Sequence, residues 1–284
     1  MSGDGDDDGV NGLREKPRGT VTVRDGGRLL VHVQLPLPAS AQPRLLLQPR
    51  PKKGQPEEAG RSLVLEPGGP DAWQAVLEAE PALEEGRWDA YVVTGPGEER
   101  VPLLPGLRDL RDLVSGTDAV RGAPVAVRIP YATKDGRLAI RAWRRATHAE
   151  AGRITVGSGA MAVTARLYGA GLSEGAEVSL VRRGRESVVA RVALSAEGDQ
   201  DFSFMVDYAD LLAEAAGGAP VIWDVFVHPG AGAPRVRVAR LLDDVADRKT
   251  VFVYPATPLG GVSVRPYYTL DNDLSVEVAP QRSR

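Results

Sequence analysis

The sequence predicts an all-β protein, two antiparallel β-sandwich domains in tandem, and three observations lead there. Apolar and polar residues alternate in short runs along most of the chain, the two-residue period of a half-buried strand. Gly, Pro, Asp and Ser separate those runs at intervals of roughly 8–14 residues, the rhythm of sandwiches and barrels rather than of βαβ units. The second half of the chain also repeats the first.

The repeat is read from blocks matched in the same order. "RWDAYVV" (87–93) parallels "IWDVFVH" (222–228), which sets Trp88 and Trp223 135 residues apart. At that same offset "VPLLPGLRDLRD" (101–112) lies against "VRVARLLDDVAD" (236–247), matching Asp109 with Asp244 and Asp112 with Asp247. Upstream, "GTVTV" (19–23) matches "GRITV" (152–156) at offset 133. Downstream, "PYATKDGRLAI" (130–140) matches "PYYTLDNDLSV" (266–276) at offset 136, with five of eleven residues identical. The offset drifts only across polar loops, chiefly 49–60 in the first copy and 207–220 in the second. The copies therefore run near 17–147 and 148–284, behind an acidic, Gly-rich tail, 1–16, whose composition reads as disordered.

In the second copy the expected strands are "RITVG", "AVTARLYG", "EVSLVRR", "SVVARVAL", "DFSFMVD", "VIWDVFV", "RVRVARL", "TVFVYP", "VSVRP" and "LSVEV", each alternating and most closed by a turn residue. "YADLLAEAA" (208–216) has apolar residues at helical spacing and predicts one short helix ahead of the Trp strand. On a strand, Trp223, Val225 and Val227 share one face, and Asp224, Phe226 and His228 share the other. "LEEGRW" before Trp88 resembles the corner before strand F of immunoglobulin-like sandwiches, where a large aromatic follows a tight turn into the core. Both tryptophans are thus expected as core anchors, each worth about 2–3 kcal/mol in buried area.

Composition excludes several classes. Of the formal charge of −3, Asp4, Asp6, Asp7 and Asp8 supply −4, leaving the rest near +1 and no field to attract nucleic acid or an anionic membrane. There is no Cys, so disulfides, thiolate catalysis and Cys-ligated zinc are ruled out. The start lacks the basic and apolar regions of a signal peptide, and no apolar run reaches bilayer length, so cytoplasmic residence is expected. The Arg-, Ala-, Gly- and Pro-rich usage is that of a high-GC bacterial genome.

Several short motifs suggest chemistry, and each also has a plainer structural role. "DGDDDGVNGLRE" (4–15) fits the calcium-loop formula, with Asp4, Asp6, Asp8 and Glu15 as ligands and Gly9 at the turn, but no entering helix can precede Asp4. "LDNDLS" (270–275) and its counterpart "KDGRL" read as hairpin turns rather than as a metal site. The Gly-rich segments 157–159, 169–175 and 229–234 open no helix after a strand, as a phosphate cradle requires. The three His do not recur between copies: His228 faces Val93 in the alignment, His32 faces Ala165, and His148 reads as an exposed linker residue. Arg182, Arg183 and Arg185, and Arg141, Arg144 and Arg145, read as solvated strand-edge charges, with polyphosphate binding as the sharper reading. The Asp109/Asp112 and Asp244/Asp247 pairs suggest a helical turn held by Arg108, Arg111 or Arg248. No catalytic set, metal or cofactor site is assigned from these residues.

At "WDVFV…RVRVARLLDDVAD…VFVYPA…VSVRPYYTLDNDLSVEV" the chain resembles the β-sandwich accessory domains appended to wall teichoic-acid glycosyltransferases and to polyol-phosphate polymer transferases. The resemblance covers most of the second copy and, more weakly, the first. It implies tandem immunoglobulin-like modules that are non-catalytic and aid oligomerisation or polymer engagement. No nucleotide-binding α/β segment stands among these 284 residues. The expected function is therefore a binding or assembly module serving a bacterial cell-wall glycopolymer or glycosylation enzyme. Its partner would be a glycosyltransferase, a polymer transferase, a glycan or a second copy of the chain. Two alternatives stand beside it. One is a carbohydrate-binding sandwich that stacks sugars on Tyr91, Phe226, Tyr267 or Tyr268. The other is a transferase-like enzyme with a site between the copies, using His228 or the Asp pairs, with Asp224 as a further binding candidate.

Overall fold

Alternation in the sequence becomes alternation in burial. In Arg18–Arg24 (β1) and Arg28–Gln34 (β2) every second residue is buried, and the two pair antiparallel with Val21 opposite Val31. The computed structural model describes residues 16–38, 40–51, 53–95, 99–115, 124–187, 189–213 and 218–281; the calcium-loop segment 4–15 lies outside them. The described chain is all-β apart from short helical turns. After β1 and β2 come Arg44–Pro49 (β3), Arg61–Val64 (β4), Glu66–Gly69 (β5), Ala72–Leu77 (β6), Gly86–Val93 (β7), Val101–Pro102 (β8) and Leu104–Asp109 (β9). A helical turn, Arg111–Ser115 (α1), leads to Val125–Ala132 (β10) and Leu138–Arg145 (β11). The second half holds His148–Val156 (β12), Ala160–Tyr168 (β13), Glu177–Arg182 (β14), Val189–Ala196 (β15) and Asp201–Asp207 (β16). The turn Ala209–Leu212 (α2) then precedes Val221–His228 (β17), Val236–Ala239 (β18), Thr257–Leu259 (β19), Val262–Tyr268 (β20) and Leu274–Pro280 (β21).

Pairings recur between the halves. Trp88 lies opposite Pro49 on one side and Ile140 on the other, and Trp223 lies opposite Arg182 and Val276. Pro130 faces Ile140 as Pro266 faces Val276, and Pro67 faces Trp73 as Ala196 faces Phe202. The hairpin turns match as well. Thr133 and Thr269 each donate a backbone N–H across the turn, to Arg137 and Asp273, and accept one, from Gly136 and Asn272. Gly136 (φ 69°) and Asn272 (φ 60°) occupy the same left-handed position, which only Gly or a short Asx side chain takes readily.

Closure differs, and here the expectation of two sandwiches is corrected. In the first half two sheets, β5-β6-β2-β1-β9 and β10-β11-β7-β3-β4 with β8 on β7, pack on one core. In the second, the order β14-β15-β16-β13-β12-β18-β17 returns to β14, closing a seven-strand barrel from which β21, β20 and β19 extend. The cause is local. β15 pairs without interruption with β14 and then with β16. Its counterpart in the first half breaks at Leu65, and β5 then carries Pro67, which has no N–H to donate, and Gly68–Gly69. Leu65, at that break, and Leu103, at the break between β8 and β9, turn into the core.

Three apolar clusters result. Trp88, 7% exposed, packs with Val21, Val31, Leu45, Trp73 and Ile140. Trp223, 1% exposed, packs with Val163, Leu180, Phe204, Tyr268 and Val276. The expected anchoring role of both indoles is observed. The third cluster joins the halves: Val125, Val127, Ile129 and Trp143 on the outer face of β10–β11 meet Tyr168, Ala239 and Leu241. That makes β11 buried on both faces up to Trp143.

Several local expectations change. "TVFVYP" forms no strand: Val251 and Phe252 donate their N–H to the Arg248 carbonyl in a turn, and Val251 and Val253 are exposed. The predicted helix 208–216 is seen as Ala209–Leu212, and its residues 214–216 lie outside the described ones. Residues 244–247 are not helical, unlike α1. His148 is no exposed linker. Only Ala146 and Thr147 separate β11 from β12, so His148 pairs at once with Tyr168 and is fully buried. Its Nε2 lies 2.7 Å from Glu150 Oε2, and Glu150 in turn accepts the N–H groups of Leu241 and Leu242. No helix among the described residues is long and apolar enough to cross a membrane.

The junction cluster gives the first prediction. Trp143→Ala should cost about 3–5 kcal/mol of stability and split urea unfolding into two transitions. One unshifted transition by tryptophan fluorescence and far-UV circular dichroism would contradict the role assigned to this cluster.

Candidate functional site

β17 carries the most conspicuous sequence stretch, and its side chains divide as a strand requires: Trp223, Val225 and Val227 inward, Asp224, Phe226 and His228 outward and half-buried. Each outward residue is engaged. Asp224 accepts from Arg183 (2.5 Å), Arg237 (2.7 Å) and Ser275 Oγ (2.9 Å). Burial alone would raise its carboxyl, but Arg183, then Arg237 and Ser275, outweigh that and hold it below the ordinary carboxylate range. The Phe226 ring is covered by the guanidiniums of Arg235 and Arg237, at 4.5 and 4.9 Å. His228 Nε2 shares a hydrogen bond of 2.9 Å with Ser179 Oγ. Burial, with Arg191 and Arg235 nearby, pushes this imidazole toward its neutral form. Ser179 is itself buried on β14 and lines neither concavity described below. This Ser–His contact pins β14 to β17, and among the described residues no carboxylate bonds the ring to orient it as a base.

The three tyrosines share no surface. Tyr91 is half-buried on the outer face of β7, between Leu46 and Pro102. Tyr267 is half-buried beside Arg183. Tyr268, 0% exposed, sits among Phe252 and Tyr254, ring centres 6.2 and 6.3 Å away, and burial raises its phenol. Asp224, Phe226, His228 and Tyr267 thus share one sheet surface of the second half; Tyr91 belongs to the first, and Tyr268 presents no face to solvent.

The Arg and Asp motifs resolve into structure. Arg111 pairs with Asp109 (2.6 Å) and holds that carboxyl down to about 2. Arg248 is fully buried and pairs with Asp243, while Asp247 accepts the Lys249 N–H at 3.2 Å. Arg141 was expected as a solvated edge charge; its side chain is 6% exposed and bonds Asp271 at 2.6 Å, because the second half covers this face of β11. Arg145 bridges Glu85 (3.1 Å) and Asp273 (3.2 Å), and the Trp143 indole N–H donates to the Asp271 carbonyl (3.3 Å). Burial, opposed by Arg145 and Arg237, leaves the Asp273 carboxyl raised. Segment 157–159 is the β12–β13 turn, closed by Gly157 N–H to Ala160 O. Among the described residues no three His, Asp or Glu side chains gather closely enough to hold a metal ion.

Two concavities escaped the sequence reading, since each is built from segments far apart in the chain. On the first half, the outer faces of β3 and β4, the segment 40–42 and residues 93–95 form a groove of about 1090 Å3. Leu46, Val64 and Val93 supply apolar surface; Gln42, Arg44, Ser62, Thr94 and Arg100 supply polar groups. At the junction of the halves lies a smaller cavity of about 430 Å3, whose lining includes Arg145, Thr147, Ser173, Arg235 and Arg237.

No family model and no curated protein matches the chain. Among solved structures, S. aureus TarS is similar at 14% identity over 74% of this chain and 38% of that one, with a TM-score of 0.32. A second TarS structure, of its 217–571 segment, matches at 16% identity over 69% and 58% of the two chains, with a TM-score of 0.31. The chain spans less than two thirds of the length of either.

The Asp224 network predicts a pH signature. Its folded carboxyl is held below the ordinary value of 3.8, so the stabilisation is complete above that pH and fades as pH falls through the depressed value. Asp224→Asn should therefore lose about 2 kcal/mol at pH 7, and the gap from wild type should shrink below about pH 4. Urea titrations at pH 7 and pH 3 measure it; an equal gap at both would exclude an ionised, arginine-held Asp224.

Proposed function

We propose that the chain is a non-catalytic binding and assembly module serving a bacterial cell-wall glycopolymer or a glycosylation enzyme in the cytoplasm. In this reading it consists of two tandem units, near 17–147 and 148–284, descended from one immunoglobulin-like sandwich; the second has since closed into its barrel. The recurrent strand registers and the matched left-handed turn residues support the common descent.

The groove on the first unit is the observation that carries the functional part. Its volume, about 1090 Å3, suits an oligomeric ligand better than a small metabolite. Leu46, Val64 and Val93 offer C–H surface for sugar or polyol carbons, and Gln42, Ser62 and Thr94 offer hydrogen bonds to hydroxyls. Arg44 and Arg100 add positive charge, with Glu66 opposing it. The acid–base candidates fit a binding role too, since Asp224 and His228 are held in contacts that join strands.

Calorimetric titration of the full chain with poly(ribitol phosphate), poly(glycerol phosphate) and neutral oligosaccharides tests the reading. Val64 is 55% exposed, so Val64→Glu should leave the fold intact and weaken binding of the recognised polymer at least about tenfold. Absence of binding to every polymer, together with no glycosylation or polymer enzyme co-purifying from the native cells, would refute it.

A further inference from the structure

Three guanidiniums meet around the junction cavity, and they come from both halves of the chain. Arg145 ends β11 and Thr147 lies in the link to β12; Ser173, Gly230, Arg235 and Arg237 come from loops and β18 of the second half. Among the described residues no Asp or Glu lines this space. The carboxylates that pair with the three arginines stand outside the lining and orient them: Glu85 and Asp273 for Arg145, Asp224 for Arg237, and Glu186 for Arg235 at 3.1 Å. The Phe226 ring supports Arg235 and Arg237 from one side.

One donor is left over. Arg237 Nη1 is buried and has no hydrogen-bond partner, while Nη2 of the same guanidinium is held by Asp224 and Ser275. A buried, unmatched N–H of a cation is costly, but this one has less than 1 Å2 of accessible surface and lies behind the lining, so a ligand in the cavity is met by the other donors. The planar forks of several arginines, with the Thr147 hydroxyl, match the several acceptor oxygens of a phosphate group, while the Ser173 hydroxyl is already donated to the Pro229 carbonyl (3.3 Å). A carboxylate ligand would use fewer of these donors.

We infer that this junction cavity is a binding site for a phosphate group, carried as a monoester or a diester. Every guanidinium already faces a carboxylate, so the net charge around the site is near zero and long-range attraction is weak. Recognition rests on preoriented donors in a space free of acid side chains, and affinity for a simple monoester is modest, with Kd on the order of 0.1–1 mM. The site does not depend on the groove of the first unit: Val64 lines only the groove and Arg235 only the cavity, so either proposal can fail alone.

The full chain is titrated by calorimetry with inorganic phosphate, glycerol 3-phosphate and a glycerol phosphodiester at matched ionic strength. A single saturable site is expected. Arg235→Glu, which breaks a pair with the well-exposed Glu186 and removes one of the two guanidiniums over Phe226, should weaken it at least about tenfold with Tm within about 2 °C of wild type. Thr147→Val, a near-isosteric change, should weaken it about two- to fivefold. Preference for the monoester sustains the site and names a free phosphorylated metabolite as ligand; preference for the diester sustains it and names a polymer phosphate. No saturation by any of the three up to about 20 mM, or binding unchanged in both variants, overturns the inference.

Discussion

The turn Thr269–Asp273, seated against the back of β11, is the contact on which the arrangement of the two halves depends. Asn272 adopts a left-handed backbone, and its buried amide donates to the Val245 carbonyl while its oxygen accepts the Arg248 N–H. With the turn so fixed, Asp271 and Asp273 meet Arg141 and Arg145, and the Asp271 carbonyl meets the Trp143 indole. The two arginines are largely buried while Asp271 stays 63% exposed, so these pairs recover little more than the desolvation of the guanidiniums and specify register more than they stabilise. The favourable free energy comes from the apolar seam beside them, Trp143, Ile129 and Val127 against Tyr168 and Leu241. Apolar area holds the halves together, and polar geometry decides how.

Closure of the second half has a similarly small cause with a large effect. A continuous β15 lets its first part serve one wall and its last part the opposite wall, so the sheet turns a corner without losing its ladder. In the first half one inward leucine followed by Pro67 and two glycines ends that continuity. The groove lies beside that break, with Leu65, Glu66 and Pro67 in its lining. On the second half the positions that correspond to Arg44, Leu46 and Val93 are Glu177, Ser179 and His228, and there the Ser179–His228 contact takes the place of the groove.

Much of the fold was legible because the period of a strand is written directly in the chain. The faces of β7 and β17, the burial of both indoles and the two matched hairpin turns followed from alternation and turn chemistry. What stayed hidden depends on contacts between distant segments. Nothing local marks Arg141 or His148 as buried, since each becomes so only when the second half docks on β10–β11 or when β12 finds β13. "TVFVYP" alternates like a strand and remains a loop, with Phe252 and Tyr254 packed on the core from outside the sheet. Of the binding candidates, Asp224, Phe226, His228 and Tyr267 fell on one surface because three belong to one strand face. The groove and the junction cavity, drawn from segments as far apart as residues 41 and 100 or 145 and 237, left no trace in any short window.

The socket on β11 has no successor. At the offset that carries Ile140 to Val276, Trp143 becomes Ala279 and Arg141 becomes Glu277, so the back of β21 lacks both the indole and the guanidinium that receive a neighbouring turn. The first-half turn, where Asp135 and Gly136 stand in place of Asp271 and Asn272, is likewise exposed rather than seated. A head-to-tail solenoid needs knob and hole on every member. Here the turn that docks lies on one half and the socket that receives it on the other, so neither half could repeat this joint with the same residues.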